Sequence, residues 1–208
     1  GHLLAIELRI PERLREQQAH RWFAEPSGTL QGKRMGIMGT GSIGQAIAER
    51  AASFGVTVTG LSRSGRPASG FEAVFAADQI NEFLPNLDYV VAVLPHTPET
   101  HELLDAAALA LLPSHAIFVN VGRANVINDD ALVAALSNGS LGGAVLDVFD
   151  QEPIPDESPL WDTPNLVVTA HMAAVSHPDL IVPIFLENYE RFVAGQTLLH
   201  AIDFDQGY

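Results

Sequence analysis

Short apolar runs recur along this chain, and from Lys33 onward they alternate with segments whose apolar residues repeat at helical spacing. A strand that is apolar at every position has both faces buried, which is typical of parallel sheets covered by helices on both sides. We therefore predict an α/β fold whose doubly wound, Rossmann-type parallel sheet has about seven strands. The predicted strands cover residues 35–38, 56–61, 74–75, 88–94, 116–120, 143–147 and 166–169.

Helical spacing predicts helices over residues 3–16, 42–54, 129–136 and 178–193. The third of these is followed by Asn138 and Gly139, residues that commonly end helices. The first and last do not fit the sheet pattern. Because no capping residue precedes the first helix, we expect this chain to be part of a longer protein.

Composition narrows the function. The chain has 25 acidic and 11 basic residues, a net charge of −14, which disfavours a nucleic-acid partner. No apolar run approaches the ~18 residues that span a bilayer, and no leader is recognisable, so we expect a cytoplasmic protein without a membrane partner. The absence of cysteine excludes thiolate chemistry, and no His/carboxylate spacing predicts a metal site. An acidic protein that binds an anion must concentrate its few arginines locally.

A glycine-rich turn follows the first predicted strand. Gly39, Gly41 and Gly44 form the pattern G-x-G-x-x-G, with Ser42 and Ile43 at the start of the next predicted helix. The first glycine permits a tight turn, the second lets a pyrophosphate approach the backbone, and the third allows close packing of helix and strand. Free N–H groups at the helix N-terminus attract the anion. The pattern predicts dinucleotide binding.

The end of the second predicted strand bears on the choice of coenzyme. NAD-specific sites usually place a carboxylate there to bind the ribose 2′-hydroxyl. Here the segment reads Ser62, Arg63, Ser64, Gly65, Arg66 and contains no carboxylate. The two arginines can pair with a 2′-phosphate, and the serine hydroxyls can donate hydrogen bonds to it. We predict a preference for NADP(H), with NAD(H) as the alternative.

Polar residues also follow three later strands. Arg123 follows the run at 116–120, Asp147 and Glu152 follow the run at 143–147, and His171 follows the run at 166–169. Ligands of doubly wound sheets bind outside the carboxyl ends of the strands. Three such positions beside a dinucleotide turn predict a catalytic site.

These segments resemble the D-isomer-specific 2-hydroxyacid dehydrogenases, and within that family the bacterial glyoxylate/hydroxypyruvate reductases. The resemblance extends in order through the whole chain. It is carried by the glycine turn and by residues 94–100, 120–123, 146–153 and 171. The placement within the family is supported by residues 62–64 and 157–161 and by the Gly207-Tyr208 ending. One departure is the Met172-Ala173-Ala174-Val175 segment, where the family commonly has glycine.

The resemblance implies catalytic roles for three residues. Arg123 would hold the substrate carboxylate, His171 would protonate the keto oxygen during hydride transfer, and Glu152 would orient the imidazole. Asp147 would bind the nicotinamide carboxamide. The other residues expected to contact the coenzyme are Leu94, Pro95, His96, Val121, Gly122, Ala173 and Ala174, together with Arg123 and His171 themselves.

The resemblance also implies a domain organisation. Residues 1–176 would form the dinucleotide-binding domain, and residues 177–208 would belong to an incomplete substrate domain. We expect a small 2-oxo acid substrate, a homodimer, and poor turnover by this fragment alone. The alternatives are an NAD-linked family member with another substrate, or a non-enzymatic NAD(H)-sensing protein of the same fold. An L-hydroxyacid dehydrogenase is disfavoured, because it would place the catalytic histidine differently.

Overall fold

The computed structural model describes residues 1–174, 176–202 and 204, so Val175 and the Gly207-Tyr208 ending lie outside the described residues. A parallel sheet forms the centre of the chain, with strand order β3-β2-β1-β4-β5-β6-β7. The prediction of a doubly wound sheet with seven strands is confirmed. The strands are β1 (Arg34–Met38), β2 (Thr57–Ser62), β3 (Ala73–Ala76), β4 (Tyr89–Ala92), β5 (Ile117–Asn120), β6 (Gly143–Leu146) and β7 (Leu166–Val168).

The α-helices of the described part of the chain are α1 (His2–Glu7), α2 (Ile10–Gln18), α3 (Ser42–Ala52), α4 (Ile80–Phe83), α5 (Ala106–Leu109), α6 (Asp129–Ser137) and α7 (Pro178–Val193). Helices α1 and α2 precede the sheet, α7 follows it, and the other four lie between strands. The short helices α4 and α5 were not predicted, since a single turn leaves little periodic signal. Within the described residues, no helix has both the length and the apolar character needed to cross a lipid bilayer.

The prediction of one helix over residues 3–16 is wrong. The structure has α1 and α2 with a break between them, where Arg9 adopts a left-handed conformation with φ of 53°. Pro11 explains the break. A continuous helix would bring the proline ring against the carbonyl of Glu7, and proline has no N–H to donate to that carbonyl.

The hydrophobic core covers both faces of the sheet, because successive side chains of a strand point to opposite faces. In β4, Val90 and Ala92 pack on one face, while Tyr89 and Val91 pack on the other. Helix α1 belongs to the second face. The buried Tyr89 hydroxyl donates a 2.6 Å hydrogen bond to Glu7. Burial raises the pKa of Tyr89, and the Glu7 carboxylate raises it further.

Helix α7 differs from the helices on the sheet. The prediction of a helix from Pro178 to Val193 is confirmed, and the helix has no buried residue among those described. Its apolar side chains are largely exposed, as in Phe185 and Phe192, which are 65% and 72% exposed. The domain boundary between residues 176 and 177 stays a prediction.

Candidate active site

The loops after six of the strands meet along the carboxyl edge of the sheet. Backbone hydrogen bonds continue from strand to strand just beyond their ends: Gly39 N–H donates to the last but one residue of β2, Val93 to the end of β1, Val121 to the end of β4, and Asp147 to Asn120. Every segment predicted to contact the coenzyme therefore begins at this edge. The reversal of strand order falls between β1 and β4, where doubly wound sheets bind their ligands.

The glycine turn has the geometry that an anion site needs. Gly39 has φ of +108°, a conformation that favours glycine. A side chain at Gly44 would collide with the carbonyl of Gly39, whereas one at Gly41 would meet no atom within 4 Å. Gly41 precedes α3, and no side chain caps this helix. The N-terminal N–H groups of α3 and the space beside Gly41 therefore fit a diphosphate.

An open cavity of about 500 Å³ lies next to this turn. Its lining residues are Thr40, Gln45, Ser62, Arg63, Ser64, Arg66, Pro67, Ala68 and Ser69. The predicted coenzyme-selective serines and arginines thus share one cavity with the glycine turn. Sequence reasoning missed Thr40, Gln45 and the 67–69 segment; Gln45 donates to the Thr40 carbonyl at 2.9 Å and so braces the turn.

Glu99 interacts electrostatically with Arg63, one of the residues that line this cavity. A hydrogen bond from its own backbone N–H, another from Thr97, and the nearby positive charge of Arg63 hold the pKa of Glu99 below its ordinary value. Glu99 is exposed. Since Arg63 is one of the two arginines predicted to bind a 2′-phosphate, an anion in the cavity would share it with this carboxylate. Sequence reasoning missed Glu99, because it lies 36 residues after Arg63 in the chain.

His171 and Glu152 form a pair at the opposite end of the edge. The imidazole Nδ1 lies 2.8 Å from Glu152 Oε2, and Phe149 N–H donates to Glu152 Oε1 at 3.0 Å. The hydrogen bond from His171, reinforced by that from Phe149, lowers the pKa of Glu152. Because Nδ1 faces the carboxylate, Nε2 is the nitrogen that can present a proton to a substrate. The His171 side chain is 54% exposed, so a ligand can reach it.

Asp147 holds the turn that carries His171. Its carboxylate accepts hydrogen bonds from the Thr169 hydroxyl at 2.5 Å, from Met172 N–H at 2.9 Å and from Ala173 N–H at 2.8 Å. Its backbone carbonyl accepts from His171 N–H at 2.9 Å. Burial alone would raise the pKa of Asp147, but these hydrogen bonds outweigh burial and lower it. The carboxylate therefore holds the turn in place. The sequence predicted only that Asp147 would bind the nicotinamide carboxamide and missed this structural role.

The same turn accounts for the alanines where the family commonly has glycine. His171 itself takes the left-handed conformation, with φ of 50°. Met172, Ala173 and Ala174 do not have positive φ. Glycine is therefore not required by backbone conformation at these three positions.

Arg123 lies on the turn after β5. Buried Asn120 organises this turn: its Oδ1 accepts from Gly122 N–H at 3.1 Å, and its Nδ2 donates to the Arg123 carbonyl at 3.0 Å. The exposed Arg123 guanidinium donates to the Gly122 carbonyl at 2.8 Å. Strand β5 lies between β4 and β6 in the sheet, so the turn that follows it puts the cation on the same edge as His171. Sequence reasoning missed this role of Asn120.

The remaining predicted coenzyme contacts lie on the same edge. They are Ser42 and Ile43 at the start of α3, Leu94, Pro95 and His96 after β4, Val121 after β5, and Ala174 after β7. Among the described residues, no group of three or more His, Cys, Asp or Glu side chains could hold a metal ion.

Fold and edge together define a dinucleotide-binding domain of the doubly wound class. Residues 1–173 match the sequence profile of the D-isomer specific 2-hydroxyacid dehydrogenase, NAD binding domain. The chain therefore belongs to the D-isomer specific 2-hydroxyacid dehydrogenase family. This confirms the resemblance inferred from the motifs.

Relatives of known name agree with this placement. Glyoxylate/hydroxypyruvate reductase A of Escherichia fergusonii is 34% identical over 188 residues, which cover 90% of this chain and 60% of that protein. The corresponding protein of Klebsiella pneumoniae is 33% identical over 190 residues, covering 91% and 61%. The chain thus spans about 60% of the length of the curated relatives it matches.

Solved structures of the family superpose closely. A family member from Aeromonas salmonicida is 46% identical, with a TM-score of 0.92 over 98% of this chain and 66% of that one. A member from Xanthobacter autotrophicus, in complex with NADPH and MES, is 38% identical, with a TM-score of 0.90 over 99% and 85%. An NADPH-dependent glyoxylate/hydroxypyruvate reductase from Sinorhizobium meliloti, in complex with NADP and sulfate, is 33% identical, with a TM-score of 0.91 over 100% and 67%.

Proposed function

We propose that this protein reduces a small 2-oxo acid of the glyoxylate/hydroxypyruvate type to the D-2-hydroxy acid, with NADP(H) as the preferred coenzyme. The observation that carries the proposal is the His171–Glu152 pair on the same edge as Arg123 and the glycine turn. Relatives named as glyoxylate/hydroxypyruvate reductases, and structures of relatives with NADPH or NADP, support the substrate class and the coenzyme.

The residues fit the coenzyme in two places. The uncapped start of α3 fits the diphosphate, and the cavity lined by Ser62, Arg63, Ser64 and Arg66 fits a phosphorylated ribose. When bound, the coenzyme supplies the hydride, which is chemistry that protein side chains cannot provide. Everything else in the reaction falls to positioning and proton transfer.

Three residues would perform that work. The Arg123 guanidinium binds the substrate carboxylate, since its planar fork matches two carboxylate oxygens. His171 Nε2 delivers a proton to the oxygen of the keto group as that oxygen gains charge. Glu152 holds Nδ1, so that it keeps the imidazole in one orientation and stabilises its protonated form. Asp147 keeps the turn in place beneath them.

Coenzyme preference is the first test. NADPH and NADH are titrated into the chain by fluorescence, with Arg63→Ala and, as a control, Arg34→Ala. Arg34 lies at the start of β1, on the far edge of the sheet. We expect NADPH to bind tighter than NADH, and Arg63→Ala to weaken NADPH binding by roughly 10-fold or more, because it removes a charge-assisted contact. Equal or tighter binding of NADH would instead favour the NAD-linked alternative.

Turnover is the second test. Glyoxylate and hydroxypyruvate are each supplied with NADPH, and coenzyme oxidation is followed by absorbance. We expect His171→Asn to lower the rate by about 10²- to 10⁴-fold, far more than it weakens NADPH binding, since proton transfer is lost and a predicted coenzyme contact is only altered. Because this fragment alone is expected to turn over poorly, the deciding assay uses the full-length protein. Tight NADPH binding there without turnover of any 2-oxo acid would favour the sensing protein over the enzyme.

Assembly is a further part of the proposal. Four apolar side chains in and around α2 are exposed: Leu8, Ile10, Leu14 and Trp22, the last of them 94% exposed. Exposed apolar surface of this kind supports a homodimer. Light scattering coupled to size-exclusion chromatography measures the mass in solution directly. A monomer at all concentrations would contradict the proposed homodimer. A cytoplasmic location stays a prediction.

A further inference from the structure

Two loops of the carboxyl edge run side by side. One follows β4 and covers residues 93–104, and the other follows β5 and covers residues 121–128. Glu102 N–H donates to the Asn125 carbonyl at 2.6 Å, and Leu104 N–H donates to the Val126 carbonyl at 2.9 Å. The first loop carries the predicted coenzyme contacts Pro95 and His96, and the second carries Arg123. Their relative position therefore sets the distance between coenzyme and substrate.

The Thr100 hydroxyl connects the two loops. It donates to the Pro95 carbonyl at 2.8 Å, with the Thr97 carbonyl further away at 3.1 Å, and it accepts from Thr97 N–H at 3.0 Å. It also accepts from Asn125 Nδ2 at 3.2 Å, across the gap between the loops. A hydroxyl has one hydrogen and two lone pairs, so the bonds with the Pro95 carbonyl, Thr97 N–H and Asn125 use its full capacity. Its contacts with the Thr97 carbonyl and, at 3.4 Å, with the Thr97 hydroxyl are secondary. The Asn125 side chain and the Pro95 carbonyl are therefore linked by two hydrogen bonds that share one atom, Thr100 Oγ1.

Asn125 occupies its position at a cost. It is 5% exposed, and its Oδ1 has no hydrogen-bond partner within the described part of the chain. A buried carbonyl oxygen without a partner destabilises a protein, and an apolar residue of similar size would avoid the loss. Among the described residues, the one side-chain hydrogen bond that Asn125 makes is the one to Thr100.

The other side of the Pro95 segment is also fixed. A side chain at Gly122 would come within 2.9 Å of both backbone N and O of Leu94, so the two chains are in contact there. Gly122 directly precedes Arg123. The Leu94–Pro95 backbone is thus confined between the Gly122 contact and the Thr100 hydroxyl.

We propose that Asn125 and Thr100 are positioning residues that hold the Pro95–His96 segment at a fixed distance from the Arg123 turn. The proposal rests on the proposed function, because it gives this distance a role in aligning coenzyme and substrate. Reactions between bound groups depend steeply on such alignment. Neither residue has to touch a ligand for this role.

The test separates positioning from folding. Asn125→Leu removes the amide while keeping the branching and the number of side-chain heavy atoms, and Thr100→Val removes the hydroxyl. The control is Thr163→Val, because Thr163 is a buried threonine whose hydroxyl, like that of Thr100, donates to a proline carbonyl, that of Pro159 at 2.8 Å. Thermal unfolding and NADPH titration are measured on the 208-residue chain for each variant.

We expect Asn125→Leu and Thr100→Val each to weaken NADPH binding by about fivefold, the effect of one lost hydrogen bond. The double variant should lose no more than the stronger single variant, since both break the same path. The Tm of Asn125→Leu should stay level or rise, because the unpaired oxygen is gone. Thr163→Val should leave NADPH binding unchanged.

Two results would overturn the proposal. In one, Asn125→Leu binds NADPH as tightly as the wild-type chain. In the other, its affinity and its Tm fall together, which indicates a purely structural role. If the wild-type chain binds neither NADPH nor NADH, the proposed function itself is wrong, and the positioning role falls with it. Wild-type binding with unaffected variants leaves the proposed function standing and removes the positioning role alone.

Discussion

Replacing Asp147 by asparagine tests how the turn of His171 is held. The carboxylate is 2% exposed and accepts three hydrogen bonds. Asparagine keeps one acceptor oxygen for Thr169 and Met172, but it turns an NH₂ group toward the N–H of Ala173. One bond to a charged group is lost and two donors face each other, which together cost about 3 kcal/mol.

The cost should depend on pH in a definite direction. The folded-state pKa of Asp147 lies below its ordinary value of 3.8. The carboxylate therefore stabilises the wild-type fold fully above that value, and this contribution is lost as the pH falls through the lowered folded-state pKa. Asparagine does not titrate. The difference in unfolding free energy between the wild type and Asp147→Asn should be full at pH 7 and should shrink at about pH 3.

Urea denaturation at both pH values gives the free energies, and hydrogen exchange reports whether the amides of Met172 and Ala173 lose protection. Asp130→Asn serves as the control, because Asp130 is exposed on α6. A variant with wild-type stability and protected amides at pH 7 would refute the assignment of Asp147 as the residue that holds the turn.

Three further predictions concern other carboxylates and one tyrosine. Burial, and after it neighbouring acidic charges, raise the pKa of Asp129 above its ordinary 3.8. In urea denaturation, Asp129→Asn should therefore stabilise the fold by about 0.5 kcal/mol at pH 7 and should have no effect below pH 3.8, where Asp129 is protonated in both states. Tyr89→Phe should destabilise by about 1–2 kcal/mol in the same assay, because it leaves the half-buried Glu7 without its 2.6 Å hydrogen bond. Glu99→Gln should tighten NADPH binding by less than about fivefold in a fluorescence titration, since Arg63 then faces one competitor fewer.

Each of the three has a contrary outcome. A destabilised Asp129→Asn would mean that its charge helps the start of α6 more than burial opposes it. Tyr189, which is 58% exposed, provides the control. If Tyr89→Phe changes the free energy of unfolding no more than Tyr189→Phe does, the hydrogen bond between Tyr89 and Glu7 does not stabilise the protein. If Glu99→Gln leaves the affinities for NADPH and NADH unchanged, Glu99 does not compete with the coenzyme for Arg63.

The sequence by itself determined the sheet and the edge where chemistry gathers. Runs that are apolar throughout require burial on both faces, and a glycine turn between strand and helix requires an anion-binding geometry, so local pattern was sufficient for both. Arg123, Glu152 and His171 could be selected because parallel strands bring their carboxyl ends together. Their catalytic roles were taken from the family resemblance, and they stay predictions.

Only the tertiary structure decided which of these groups touch. The break at Arg9 depends on one proline that periodicity does not register. The three donors on the Asp147 carboxylate lie 22 to 26 residues further along the chain, and Asn125 meets Thr100 across a separation of 25 residues. A hydrogen bond depends on distances of a few tenths of an ångström between groups that packing brings together. Pattern along a chain specifies which elements form and which faces they bury, whereas these contacts exist only once the elements are packed.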